Sequence, residues 1–135
     1  MSQENVEVVR SMIDAWNARR LDDWLNSFHP DVELTDLQTV LGMQYQGRGL
    51  DQLRRMSEQW IEIFPDYRAE VRELADLGGG FVLADLRYDG VGRDSGARVS
   101  GNQFDICRVG GGKIVEYHAG FRGRAEALEA FGLRE

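Results

Sequence analysis

Apolar residues recur at steps of three and four across residues 3–18, where Val6, Val9, Met12, Ile13 and Trp16 are set among Glu4, Glu7, Arg10 and Asp14. That period predicts an amphipathic helix with one buried stripe and Ser2 as its cap. A second, shorter helix is expected over Leu21–Phe28. Asp22 and Asp23 stand near its positive end, Leu21, Trp24, Leu25 and Phe28 form its inner face, and it must close before Pro30. The period then changes to two, with Val32, Leu34 and Asp36 opposite Glu33, Thr35 and Leu37, as in a short strand. Residues 38–48 carry no clear period, although Met43 and Tyr45 suit a brief strand before the Gly47 and Gly49 turn. Helical spacing returns in Leu50, Leu53, Met56, Trp60 and Phe64, until Pro65 ends it.

The remaining chain alternates. Tyr67, Ala69 and Val71 oppose Arg68, Glu70 and Arg72, and Gly78, Gly79 and Gly80 then turn the chain. The next strand runs from Phe81 to Tyr88, with Val82, Ala84, Leu86 and Tyr88 inward and Leu83, Asp85 and Arg87 outward. A glycine-rich loop, DGVGRDSGAR, leads to a hairpin over residues 103–121 that turns at Gly110, Gly111 and Gly112. In its first arm Gln103, Asp105, Cys107 and Val109 share a face. In its second arm Val115, Tyr117, Ala119 and Phe121 do so, opposite Ile114, Glu116 and His118. Asp105 is the exception, an acid on a face that otherwise reads as buried. A short helix over Arg124–Phe131, ended by Gly132, completes the chain.

Helices first and hairpin-connected strands afterwards predict an α+β domain, with helices on one face of a sheet. Several strands are apolar on both faces: Leu83, Phe104, Ile106 and Ile114 lie opposite the inner set. Helices on one side alone would leave them in water, so a homodimer through the outer sheet face is expected.

Composition narrows the functional classes. At 135 residues and 42% hydrophobic content the chain suits one domain with its own core, 1–135. No apolar run approaches a membrane span, and the polar start MSQENVEVVR does not read as a signal peptide, so a cytoplasmic, membrane-free protein is expected. Twenty-three acids against sixteen bases give a net charge of −7, which argues against nucleic acid as a partner. Cys107 is the single cysteine and reads as a small core residue. No cluster of His, Cys and carboxylates stands at ligand spacing along the sequence, so no metal is expected. The loop glycines lack phosphate-loop spacing. No nucleophilic triad is apparent, and Asp85, Arg87 and Asp89 fall on the strand face read as external.

The segments NVEVVRSMIDAWNARRLDDWLNSFHPDVEL, YQGRGLDQL, GGGKIVEYHAGF and RAEALEAFGL, with the Pro65-Asp66 helix stop, resemble the SnoaL-like branch of the nuclear transport factor 2-like superfamily. The resemblance covers nearly the whole chain. It implies a cone-shaped, curved antiparallel or mixed β-sheet barrel enclosing a pocket, closed by three N-terminal helices and a short C-terminal one. Members are commonly dimers, and they include ketosteroid isomerases, polyketide cyclases, dehydratases and non-catalytic domains, so the fold alone does not give a function. By similarity to the ketosteroid isomerases, FHPDVELTD places a general base at Asp36 and FDICRVGGGKIVEYHAGF an oxyanion-stabilising acid at Asp105. The tyrosine position of that group falls on Met12, which carries no donor.

The pocket is then expected to be lined from the helices by Met12, Trp16, Phe28, Met56 and Trp60. Tyr88, Tyr117 and Phe121 are the expected lining from the strands. Such a pocket suits a small hydrophobic, carbonyl-bearing molecule and acid/base catalysis without a cofactor. The alternative is a binding or interaction domain without turnover. For the two acids the plainer reading is that Asp105 pairs with an arginine or a backbone amide and that Asp36 merely ends a strand.

Overall fold

The computed structural model describes residues 2–37 and 45–134; the strand position expected at Met43 and the side chain of Ser2 lie outside the described residues. Helix α1 spans Ser2–Asn17 and α2 Leu21–Asn26, followed by strands β1 (Phe28–Asp36) and β2 (Tyr45–Arg48). Helix α3 (Leu50–Ile63) precedes β3 (Arg68–Gly78), β4 (Phe81–Val91), β5 (Arg98–Gly110) and β6 (Lys113–Phe121), and α4 covers Arg124–Ala130. Phe28 therefore opens β1 and does not close α2. Pro30, which has no N–H to give a ladder, is accommodated where the pairing of β1 with β6 loses register between Phe28 and Glu33.

The six strands lie in the order β2-β1-β6-β5-β4-β3, with β1 and β6 parallel and the other neighbours antiparallel. Among the described residues the sheet is mixed and does not close, with β2 and β3 as its two edges. At the β5–β6 turn Gly110 pairs with Lys113, and Gly111 and Gly112 have φ of 59° and 79°. Two consecutive positive φ values are what a two-residue hairpin turn matched to strand twist requires.

One sheet face packs on the first three helices, where Val9, Met12, Leu53 and Trp60 meet Leu34, Val82 and Cys107. The C-terminal end of α1 is tied to β3 by side chains. Asn17 donates to Ala69 O at 2.7 Å and accepts from Ala69 N at 2.9 Å, while the Trp16 indole donates to Tyr67 O at 3.1 Å. The Trp16 N–H is thereby spent on the backbone.

The opposite face corrects the premise of the expected dimer. Leu83 and Ile106 are fully buried within one chain, in a second cluster with Phe121 and Ala127, packed by Phe131 and Leu133 at the C-terminus. Burial of a large aliphatic side chain is worth roughly 1.5–3 kcal/mol, so α4 satisfies much of this face by itself. Ile114 is not on that face at all; it lies in the inner core against Phe28 and Val109. Irregular pairing between Arg108 and Val109 advances β6 by one residue near its start, which exchanges the faces that strict alternation assigns.

Candidate functional site

Between the inner sheet face and α1–α3 lies a cavity with about 530 Å³ of empty space, a figure that includes the open solvent at its mouth. Met12 and Trp16 of α1 and Met56 and Trp60 of α3 line it, as expected from their shared helical stripes. Asp36, Asp105 and Tyr117 line it from the sheet. The expectation fails for three residues. Phe28 and Tyr88 are buried but do not line the cavity: Phe28 stacks edge-on against Trp24 and Tyr117, and Tyr88 lies parallel to Tyr67 at 5.6 Å between ring centres. Phe121 points to the other side of the sheet, against Phe131.

A bulge in β6 explains the reversal of Phe121 and also builds the acid site. Ile106 faces His118 and Phe104 faces Phe121, so Asp105 alone stands opposite both Ala119 and Gly120. Gly120 has φ of 87°, a conformation a side chain disfavours, and from there its N–H donates to Asp105 Oδ1 at 3.1 Å. Gln103, two residues earlier on the same face of β5, donates its amide N–H to the same oxygen at 2.9 Å. Gln103 Oε1 in turn accepts the Tyr67 hydroxyl at 2.9 Å. Both Gln103 and Tyr67 line the cavity, as do Trp24 and Ser57, whose indole N–H and hydroxyl are bonded at 3.0 Å. Sequence reasoning placed Gln103 and Tyr67 on the correct faces without assigning either a role. A polar residue two positions from a buried acid on one strand face was the available signal for Gln103; the 36-residue separation from Tyr67 offered none.

Asp36 ends β1, where it pairs with Ala119 of β6. Ala119 in turn stands at the bulge facing Asp105, so the two acids occupy one row across three strands, on the order of 10 Å apart at the backbone. Asp105 is 2% exposed and Asp36 6%. Burial pushes the Asp105 carboxyl up from an ordinary 3.8 to about 7, against the bonds from Gln103 and Gly120 and helped by the charge of Asp36. Burial, then the two aspartates, also push the Tyr117 phenol up, so it keeps its proton. The Cys107 thiol is likewise raised by burial, as suits an inert core residue. Of the plainer alternatives, the backbone-amide bond to Asp105 exists, and among the described residues Asp105 makes no ion pair.

Other candidates sit outside the cavity. Asp85 lies on the outer face near Arg124, at 3.5 Å, and Asp89 pairs with Arg98 at 3.0 Å. His118 is buried on that face, bonded to Glu116 at 3.0 Å and packed on Phe131. The fold corrects one reading here. Glu33, Glu116 and His118, from adjacent strands, bring their ligand atoms within 4.8 Å of one another, a grouping linear spacing conceals. Within this group Glu116 is already engaged by Arg108 at 3.1 Å and by His118 at 3.0 Å.

Fold and site together define a class: a pocketed α+β protein whose curtain of strands presents two buried carboxylates to an aromatic hollow. The chain belongs to the SnoaL-like domain family, whose model matches residues 9–117. No curated protein sequence matches the chain. Among solved structures it is similar to a nuclear transport factor 2-like protein of unknown function from Burkholderia pseudomallei, at 18% identity over 93% of this chain and 95% of that one, with a TM-score of 0.78. A Catenulispora acidiphila protein with a ketosteroid isomerase-like fold, in complex with trimethylamine, matches at 15% identity over 95% and 94% with a TM-score of 0.75. A candidate SnoaL-like polyketide cyclase from Jannaschia sp. matches at 19% identity over 87% and 85% with a TM-score of 0.74. These likenesses establish the fold. No described helix is long and apolar enough to cross a membrane.

Proposed function

We propose that this protein is a cofactor-independent acid/base enzyme that moves a proton at a carbon next to a carbonyl in a small hydrophobic substrate. The observation that carries the reading is the arrangement of Asp36 and Asp105 in one row of one aromatic cavity. In the proposed reaction the Asp36 carboxylate takes the proton from the α-carbon, and the electron pair moves onto the carbonyl oxygen. The neutral Asp105 carboxyl donates a hydrogen bond to that oxygen as its charge grows. Asp36 then returns the proton to the same or a conjugated carbon, which completes exchange or isomerisation without a net change in charge.

The pH dependence follows with a definite sign. Asp105 works as a donor only when protonated, so activity falls as pH rises through about 7. The test follows α-proton exchange of small cyclic ketones in D₂O by NMR at pH 6, with binding measured by thermal shift. Asp36→Asn is expected to slow exchange at least about 100-fold while ligand affinity changes less than about threefold. Binding of the ketones by the wild type with no exchange above buffer makes this a binding domain, and overturns the enzyme reading.

A further inference from the structure

Asp105 Oδ1 receives two donors, the amide N–H of Gln103 at 2.9 Å and the backbone N–H of Gly120 at 3.1 Å. An oxygen with both lone-pair directions engaged is a poor place for a proton, so in the neutral acid the proton belongs on Oδ2. The Gln103 amide is itself oriented. Its Oε1 accepts the Tyr67 hydroxyl at 2.9 Å, and this fixes the NH₂ end toward Asp105. Tyr67 is secured in turn, since its backbone carbonyl accepts the Trp16 indole at 3.1 Å and also the Arg19 guanidinium at 2.5 Å. The chain of contacts runs from the end of α1 through Tyr67, which immediately precedes β3, to β5 and ends at the cavity.

We propose that Tyr67 and Gln103 form a positioning relay that holds Asp105 with its protonated oxygen toward the cavity, and that Gln103 sets how readily Asp105 gives up that proton. This rests on Asp105 as the hydrogen-bond donor of the proposed reaction. Gln103 stabilises the carboxylate over the neutral acid, because an N–H donor bonds a charged oxygen more strongly than a neutral one. Burial and Asp36 act in the opposite sense. The titratable groups that couple to Asp105 are Asp36 from β1, Tyr117 from β6 and Cys107 on its own strand, with the Tyr67 phenol reaching it through Gln103. The balance of these opposing influences places the midpoint near neutrality, where a modest change in one donor matters most.

The experiment reads the Asp105 carboxyl carbon directly, by ¹³C NMR titration of the full chain labelled at aspartate, without substrate. The wild-type midpoint is expected near 7. Gln103→Leu should raise it by about one pH unit, the effect of losing one hydrogen bond to a charged group. Tyr67→Phe should raise it by less, because it frees the amide without removing it. An unchanged or lowered midpoint in Gln103→Leu overturns the relay, since a residue that only packs would alter the melting temperature and leave the titration in place. Should that variant fail to fold, Tyr67→Phe decides in the same way. Because no turnover is measured, failure here is distinct from failure of the ketone exchange.

Discussion

Acids lie on both faces of the sheet, and the two faces treat them differently. On the outer face Glu116 meets the Arg108 guanidinium at 3.1 Å and the His118 ring at 3.0 Å. Burial pushes its carboxyl up, but those bonds and charges outweigh it and hold the group below its ordinary value. On the inner face the donors that Asp105 meets among the described residues are neutral N–H groups, and burial wins. A carboxylate opposite a cation is committed to one charge state and so to structure. A carboxylate given neutral dipoles in an apolar hollow is left near its midpoint, where it can act either as donor or as acceptor. Asp85, also on the outer face, has Arg124 and Arg72 at 3.5 and 4.0 Å.

The contrast can be broken most forcefully at Asp105. Its native pKa lies above its unfolded value, so its burial costs nothing at low pH. The cost grows as pH rises from about 3.8, where the unfolded acid ionises, and levels off above about 7, where the native one does too. Asp105→Asn keeps an oxygen for Gln103 and Gly120 and removes the charge. Chemical denaturation should find the variant gaining stability relative to wild type between pH 4 and pH 8, by on the order of 4 kcal/mol. An equal difference at both pH values would mean that Asp105 is ionised in the fold throughout.

Gly120→Ala sharpens the same comparison through the backbone. A side chain at φ of 87° is strained, and relief would turn the N–H away from Asp105. The expected loss is about 1–2 kcal/mol, together with an upward move of the Asp105 midpoint in the same NMR titration. The smallest effect belongs to the outer face. Glu116→Gln should cost under about 1 kcal/mol at pH 7. Its sign is opposite to that of Asp105: the native pKa is lowered, so the contribution is present above the unfolded pKa and disappears as pH falls through the native one. A melt series from pH 7 down to pH 3 in which wild type and variant converge is the expected result.

Periodicity along the chain was sufficient for the helical stripes of Met12, Trp16, Met56 and Trp60, which line the cavity. It also placed Asp36 and Asp105 on inward faces, because in an uninterrupted strand face assignment is only a matter of parity. The family resemblance paired those two acids before any coordinate did. Parity failed in β6, where two irregularities reversed Ile114 and Phe121. A bulge inserts one residue on one strand only, and whether it forms depends on what the neighbouring strand offers to pair with.

What the amino-acid sequence determined by itself was local: which residues are helical, which alternate, where glycine permits a turn, and that two acids fall among apolar neighbours. What only the tertiary structure decided was company. That Asp105 would find Gln103 and Gly120 but no arginine, that Gln103 would be oriented by a tyrosine 36 residues away, and that α4 would cover Leu83 and Ile106, all depend on contacts between distant segments. The charge state of a buried acid is set by the few groups within reach of it, and sequence order does not specify which groups those are.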